Sequence, residues 1–209
     1  MLSNSSTAWV NYARHVLKWE GKTSRDPNDN AASCYPGGIH TNKGVTFCTF
    51  KQMAQELGIT PVTHQRFLAM TDADVAKFMY KFYQAVNGPQ LPDSIALLMT
   101  EAAWGSGPSR PWRHLFDALG DLGKRVTTRQ QAIQEANKVN EARLFDAYNK
   151  RRLFFLTETL GRQPKFARYR DGWANRQNDF VRSFQSLSRS GGGGNLFSAI
   201  AAAFGFFFS

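Results

Sequence analysis

Apolar side chains recur at helical spacing near the start of the chain, in the segment TAWVNYARHVLKWE, residues 7–20. Spacings of three and four residues place such side chains on one face of an α-helix. Hydroxyl side chains before this segment suit a helix start, and Gly21 suits a helix end. We therefore predict an amphipathic helix here, with a buried stripe made of Trp9, Tyr12, Ala13, Val16 and Leu17.

Similar periodicity, interrupted by Gly and Pro, predicts helices along most of the remaining chain. Their predicted bounds are Phe50–Leu57, Asp72–Val86, Asp93–Trp104, Pro111–Leu119 and Thr128–Leu160, with one more helix within residues 165–185. Strand signals are weak everywhere except in residues 35–48. The pattern predicts a mainly α fold with a small β-hairpin or loop region.

Residues 22–48 differ from their surroundings, because Gly, Asn, Asp, Pro, Ser and Thr replace any aliphatic run. We predict a long loop here, with a short hairpin around Gly44 to Phe47. Loops of this length inside a compact domain are uncommon and are usually functional.

The end of the chain changes character again. Residues 186–190 are polar, residues 191–194 are four glycines typical of a flexible linker, and residues 196–208 are almost wholly apolar. As a helix, this apolar stretch would span about 20 Å, which is too short to cross a bilayer. Because an exposed apolar tail promotes aggregation, we expect residues 191–209 to dock on a partner protein or a membrane surface.

The composition limits the kinds of molecule that the protein is expected to bind. The chain carries a net charge of +10 and 42% hydrophobic residues, so it has enough apolar residues to build a core and is attracted to polyanions. The 26 Lys and Arg residues are spread along the chain without a run of five or more, so we expect no specific nucleic-acid binding. His and Cys do not pair at zinc-ligand spacing, so we expect no metal and no cofactor.

Two cysteines, Cys34 and Cys48, do not form a disulfide framework. We expect reduced, structural thiols, with a single disulfide across this short loop as the alternative. The segment from Met1 to Ser6 lacks the pattern of a secretory signal, so another component would have to carry the protein out of a cytoplasm.

Glu20 is the first candidate for chemistry. It continues the apolar stripe of the first helix, three residues after Leu17 and four after Val16. The last turn of a helix and partial burial both disfavour a charged carboxyl group. A carboxyl that keeps its proton near neutral pH is suited to protonate a glycosidic oxygen. The alternative is a surface glutamate at a helix end.

Polar candidates follow in the loop. Asp29 lies nine residues after Glu20, and a returning loop would bring it or Asp26 to face that carboxyl. Glycoside hydrolysis uses a second carboxylate or a water held by polar groups. Thr41 and Thr46 carry hydroxyls that suit a water or a sugar. The alternatives are turn roles for both aspartates and hairpin roles for both threonines.

Several blocks of residues occur in a characteristic order: Glu20-Gly21, Asp26-Pro27-Asn28-Asp29, Gly37-Gly38, Thr41-x-x-Gly44-Val45-Thr46, Ala102-Ala103-Trp104-Gly105-Ser106-Gly107-Pro108 and Gly172-Trp173-Ala174-Asn175-Arg176. Over about residues 8–180 they resemble glycoside hydrolase family 108. That family comprises bacterial and phage N-acetylmuramidases with an EGG … DPxDxGGxTxxGIT signature. This chain departs from the signature at Lys22 and by an insertion, Asn30–Pro36.

The resemblance implies a lysozyme-like helical fold and places the catalytic glutamate on Glu20. By similarity to phage-type lysozymes it favours Asp29 with Thr41 or Thr46 as partners. We predict Glu20, Asp29 and Thr46 as catalytic, and Thr41 and Asp26 as substrate-binding. Residues 1–110 would form the catalytic domain, residues 111–185 a helical part of the same unit similar to a degenerate peptidoglycan-binding region, and residues 186–209 the linker and tail.

Two further residues are candidates for substrate binding. Glu101 follows the apolar run Ile95–Leu98 and has Met99, Ala102 and Ala103 around it, and a buried carboxylate marks either a functional site or a structural pair with an arginine. Trp104 suits a sugar ring, although core packing is the more common role of such a residue.

The resemblance therefore predicts a peptidoglycan hydrolase that cleaves the β-1,4 MurNAc–GlcNAc linkage. The alternatives are a lytic transglycosylase with 1,6-anhydro products and a non-enzymatic virion protein with this fold. The linker and tail favour a phage endolysin or a virion-borne enzyme held by other particle proteins. We expect it in the virion or the host cytoplasm, acting on the wall in the periplasm.

Overall fold

The computed structural model describes Leu2, residues 6–21 and residues 23–189. It is mainly helical with a small antiparallel sheet of three strands, which confirms the predicted fold class. No helix among these residues is both long enough and apolar enough to cross a bilayer. The predicted linker and tail, residues 191–209, lie outside the described residues.

The described residues divide into two compact units. One unit comprises residues 11–82, and the other combines the described residues up to Val10 with those from Tyr83 onward. The division at residue 110 that the sequence suggests stays a prediction.

The unit of residues 11–82 holds the sheet and the shorter helices. Its elements, including two helices that extend past its limits, are α1 Thr7–Trp19, β1 Thr23–Ser24, β2 Thr41–Asn42, β3 Val45–Thr46, α2 Phe47–Met53, α3 His64–Leu68 and α4 Asp72–Ala85. The first helix and α4 end within one residue of their predicted bounds. The helix predicted at Phe50 begins instead at Phe47, because the Thr46 hydroxyl accepts a hydrogen bond from Thr49 N and caps the earlier start.

The three strands pair in chain order, β1–β2–β3. Ser24 lies opposite Thr41, and Thr41 lies opposite Thr46, so these three side chains share one face of the sheet. Lys43 and Gly44 form the turn between β2 and β3 with φ angles of 49° and 80°. Positive φ at both central residues is the geometry of a tight hairpin turn, and glycine adopts it without steric cost.

Aromatic rings form the core beside the sheet. Phe67 lies 5.2 Å from Phe47 and 5.5 Å from Phe50, measured between ring centroids, and Phe78 packs against Phe50. The buried Asn42 side chain donates a hydrogen bond of 2.8 Å to the Phe67 carbonyl. This bond fixes β2 to α3, so the hairpin is anchored on the aromatic core.

A disulfide joins Cys34 to Cys48, with the two Cα atoms 5.1 Å apart. The expectation of reduced thiols is therefore wrong, and the alternative of one disulfide across the loop is correct. The bond ties a short helical turn, Asn30–Cys34, to the first turn of α2. Sequence spacing alone did not show this proximity, because the intervening loop has to fold back through β2 and β3.

The other unit is built around α5, Asp93–Ser106, in which every residue from Ser94 to Ala103 is buried. Helices on several sides of α5 explain why its sequence is apolar all round rather than amphipathic. Its further helices are α6 Arg110–Asp121, α7 Arg129–Ala136, α8 Glu141–Phe154 and α9 Arg170–Arg189.

The single helix predicted over Thr128–Leu160 is wrong, because the structure divides it into α7 and α8. The Asn140 side chain accepts a hydrogen bond from Arg143 N and starts a new helix. Asparagine competes well for such a cap, and this local preference outweighs the continuous pattern of helix-forming residues around it. After α8 the helix continues with π-type hydrogen bonding over Phe155–Leu160.

Candidate active site

Glu20 directly follows α1, and its backbone N–H still donates a helical hydrogen bond of 2.9 Å to Val16 O. Its half-buried side chain reaches the turn between β2 and β3. A β carbon built on Gly44 would lie 2.6 Å from Glu20 Oε2 and 2.7 Å from the carboxyl carbon. The hairpin therefore approaches Glu20 as closely as it does only because residue 44 has no side chain.

Thr41 and Thr46 are cross-strand neighbours on the same hairpin, and both are half-buried. The Thr46 hydroxyl lies 3.1 Å from Thr49 N, from which it accepts a hydrogen bond, and 3.0 Å from the Thr49 hydroxyl. It is the cap of α2. The structure thus brings the two predicted threonines together and gives Thr46 a structural task in addition to any catalytic one.

Asp26 and Asp29 each accept hydrogen bonds within their own turn. Asp26 Oδ1 accepts from Asn28 N at 2.9 Å, and Asp29 Oδ1 accepts from Ala31 N at 2.9 Å. Asp29 caps the helical turn that begins at Asn30, and its side chain is exposed. These are the turn roles that the sequence left open beside catalysis. Within the described residues no group of three or more His, Cys, Asp or Glu side chains is arranged to hold a metal ion.

His40 was not predicted from the sequence, although the structure places it beside Thr41 and Asp26. It is 1% exposed, and its ring contacts the Thr41 hydroxyl through Nδ1 and the Asp26 carbonyl oxygen through Nε2, both at 3.1 Å. The only sequence signal was its position immediately before Thr41. A histidine next to a hydroxyl in sequence gives no indication that its second nitrogen reaches a carbonyl fourteen residues away.

Glu101 and Trp104 belong to the other unit, on α5. The Glu101 side chain is completely buried, and Arg176 Nε lies 2.6 Å from its Oε1, while Arg152 is 3.8 Å from the same oxygen. This is the structural pairing with arginine that the sequence left open. Trp104 is half-buried in the last turns of the helix.

The chain is similar to known proteins in part of its sequence and in its fold. Residues 13–107 match the family model of glycosyl hydrolase 108. The structure of Brucella abortus SagA superposes with a TM-score of 0.63 at 23% sequence identity, covering 87% of this chain and 95% of SagA. At this identity the likeness shows a shared fold. No curated protein sequence matches the chain significantly.

The matched segment begins within α1 and runs through the hairpin to the end of α5, so it contains both Glu20 and the Gly44 turn that approaches its carboxyl. The class of protein that this match supports is a glycoside hydrolase. Within that class, the resemblance to glycoside hydrolase family 108 that the ordered motifs predicted is confirmed over residues 13–107.

Proposed function

We propose that this protein is an N-acetylmuramidase that hydrolyses the β-1,4 MurNAc–GlcNAc linkage of peptidoglycan, with Glu20 as the general acid. The observation that carries the proposal is the contact between the Glu20 carboxyl and Gly44 at the tip of the hairpin. That contact lies inside the segment that matches glycosyl hydrolase 108, and the hairpin bears the threonines of the family signature.

In the proposed reaction Glu20 donates its proton to the glycosidic oxygen as the bond to the anomeric carbon breaks. Positive charge develops on the sugar ring, and a water molecule adds to the anomeric carbon and releases a proton. We assign Asp29 to this second half of the reaction, either as acceptor of that proton or as the negative charge that steadies the ring. Its exposed carboxylate on the loop after β1 is open to water.

Thr41 is the threonine that we favour for holding the water. Its neighbour Thr46 already accepts a hydrogen bond from Thr49 N to cap α2, so turning that hydroxyl toward a water would weaken the helix start. Thr41 carries no capping task, and its side chain lies on the same face of the sheet. Catalysis by Thr46 stays a prediction.

The structure supports substrate binding by some of the predicted residues better than by others. Asp26 lies on the loop beside the sheet, and Trp104 offers a half-buried ring of the kind that packs on sugars. Complete burial and the pairing with Arg176 support a structural role for Glu101 rather than contact with a glycan.

Substitution Glu20→Gln tests the proposal, because the amide keeps the shape of the side chain but has no acidic proton. We expect it to abolish release of reducing ends from purified peptidoglycan while the thermal unfolding midpoint stays close to that of the unchanged protein. Glu56→Gln is the matched control, since Glu56 is an exposed glutamate of the same unit that pairs with Lys81. Undiminished cleavage by Glu20→Gln would refute the assignment.

The same digest separates the alternatives. Products with 1,6-anhydro ends would identify a lytic transglycosylase, which forms them without water. Failure of the unchanged protein to cleave any peptidoglycan, with its fold intact, would identify a non-enzymatic component instead.

We further propose that the enzyme is phage-borne and acts on the bacterial wall from a particle or from the host cytoplasm, reaching its substrate in the periplasm. The support is the sequence of residues 191–209, four glycines followed by an apolar stretch, which suits docking on particle proteins or on a membrane. Deleting residues 191–209 should leave glycan cleavage intact and abolish incorporation into particles. Normal incorporation of the shortened protein would contradict the particle role.

A further inference from the structure

His40 lies at the point where the loop after β1, strand β2 and the start of α2 meet. Its backbone N–H donates to Ser24 O at 3.0 Å, and its carbonyl accepts from Phe47 N at 2.8 Å. These two bonds hold the backbone without help from the ring. The ring is therefore available for a separate task, and it is almost completely buried.

The two hydrogen-bond partners of the His40 ring show which of its nitrogens carries a proton. The Asp26 carbonyl oxygen, 3.1 Å from Nε2, can only accept a hydrogen bond, so Nε2 must carry a proton. In the neutral ring, Nδ1 then holds a lone pair. The Thr41 hydroxyl, 3.1 Å from Nδ1, must therefore donate its proton to the ring.

A threonine hydroxyl has one proton to donate and lone pairs with which to accept. Once the proton of Thr41 points at His40, its oxygen can interact with a third group only as an acceptor. A water bound to such an oxygen directs one of its protons toward Thr41. It thereby keeps a lone pair for attack on an anomeric carbon, which is the orientation that hydrolysis needs.

We propose that His40 is a positioning residue that locks the Thr41 hydroxyl as a hydrogen-bond acceptor for the hydrolytic water. The inference rests on the proposed function, because it gives a role to the threonine of the same site. It predicts that changes to the His40 ring act on catalysis through Thr41.

Two substitutions separate this role from a merely structural one. In His40→Asn the side-chain oxygen stands near the position of Nδ1 and can still accept from Thr41, whereas the longer reach to Asp26 O is lost. In His40→Gln the terminal amide reaches the position of Nε2 and can still donate to Asp26 O, but the acceptor for Thr41 is lost. Each variant thus keeps one of the two bonds of the ring.

We expect His40→Gln to lower kcat on soluble peptidoglycan fragments by about tenfold to a hundredfold with little change in KM. His40→Asn should lower kcat by no more than about threefold, since the misplacement of the water is smaller. Unfolding midpoints of both variants serve to detect loss of the fold. The opposite order, with His40→Asn the more damaging variant, would show that the bond to Asp26 matters and would overturn the proposal.

Thr41→Val provides the second test. If His40 acts through Thr41, then adding His40→Gln to Thr41→Val lowers kcat no further, because the hydroxyl that His40 orients is already gone. Multiplicative losses in the double variant would contradict the proposal. If Glu20→Gln abolishes cleavage while His40→Gln leaves kcat unchanged, the inference fails alone and the proposed function stands.

The protonation of the ring can be measured without any activity. Nitrogen NMR of the unchanged protein should show that the neutral ring of His40 carries its proton on Nε2. A proton on Nδ1 would remove the basis of the inference even if the enzyme hydrolyses peptidoglycan. Correct protonation with retained cleavage by Glu20→Gln would refute the proposed function instead.

Discussion

Gly44 is the residue that allows the hairpin to approach the carboxyl of Glu20. Its φ of +80° is unfavourable for any other residue, and the position of an added β carbon is already filled by the carboxyl group. Two constraints, one on the backbone and one on space, therefore require glycine at this position. They also make the placement of Glu20, the proposed general acid, depend on a residue that has no side chain of its own.

Gly44→Ala should lower glycan cleavage by at least about tenfold, because the new methyl group displaces Glu20 from its productive position. The left-handed backbone should add about 1–2 kcal/mol of destabilisation. Gly58→Ala is the matched control, since Gly58 has a φ of +69° and nothing within 4 Å of an added β carbon. We expect the control to show the loss of stability without the loss of kcat. Equal activity of the two variants would contradict the role of the contact.

His114 is a second residue with a measurable signature. It lies buried on α6, against the rings of Tyr148 and Phe155. Burial, followed by the positive charges of Arg152 and Arg110, lowers the pKa of His114 from 6.5 to about 4. The His114 ring is therefore uncharged in the folded protein at neutral pH.

The free energy of unfolding depends on pH because the folded and unfolded states bind different numbers of protons at His114. Between pH 6.5 and about 4 the unfolded chain binds a proton at His114 that the folded protein does not, so acid favours unfolding. The free energy of unfolding should fall by up to about 3 kcal/mol across this window. Urea denaturation at several pH values measures it, and His114→Gln should flatten the profile. An unchanged slope in that variant would exclude His114 as its source.

The sequence indicated the catalytic candidate more clearly than its partners. Glu20 could be singled out because helical spacing and the order of motifs both point to it. The contact with Gly44 and the role of the His40 ring could not be predicted. Both depend on how a polar loop folds back, and this loop has no periodic hydrophobic pattern from which its path could be inferred. Turn residues such as Asp29 suit capping and catalysis equally well, and a sequence gives no distance between carboxylates.

Among the elements, the helical turn Asn30–Cys34 is joined to α2 by the disulfide between Cys34 and Cys48. No residue of Asn30–Cys34 is buried, and the next residue, Tyr35, packs its ring against His64 and Phe47. The disulfide closes a loop with a sequence separation of 14. The insertion Asn30–Pro36 is thereby fixed at Cys34 to the first turn of α2.

Replacing both cysteines by serine should lower the free energy of unfolding by about 3 kcal/mol, the entropic effect expected for a closed loop of this size. Thermal unfolding with and without a reducing agent measures the same difference in the unchanged protein. The double variant should be insensitive to the reducing agent. An unchanged midpoint on reduction would show that the loop is held by other contacts.

Helix positions were predictable from periodicity, but their interruptions were not. The bounds of α1 and α4 follow from an apolar stripe with clear ends, whereas the break between α7 and α8 depends on the single side-chain cap of Asn140. The short hairpin of β2 and β3 was predicted close to its observed place, whereas β1 was not, because two residues are too few for an alternating pattern. The pairing of β2 with β3 is set by the turn at Gly44 and by the anchoring of Asn42 on α3.

At the scale of the whole molecule, the net charge of +10 gives the protein a long-range attraction to an anionic wall. The Lys and Arg residues are distributed along the chain rather than gathered in one run. This attraction should raise the local concentration of enzyme on intact walls without deciding which bond is cut.

Lysis of intact walls should therefore weaken as salt rises from about 50 mM to about 500 mM, because screening shortens the range of the attraction. Cleavage of short glycans without charged peptide stems should change little over the same range. Lysis is measured by the turbidity of wall suspensions, and cleavage of the short glycans is measured by the release of reducing ends. Equal salt dependence on both substrates would place the effect in the active site instead.

Digestion in heavy-oxygen water is the most direct test of the proposed hydrolysis by Glu20 at the MurNAc–GlcNAc linkage. Mass spectrometry of the muropeptides should find reducing MurNAc ends that carry one atom of solvent oxygen, and Glu20→Gln should produce none. The proposal would be contradicted by anhydro ends that carry no solvent oxygen, or by labelled reducing ends on GlcNAc instead of MurNAc. It would also be contradicted if Glu20→Gln gave the same labelled products.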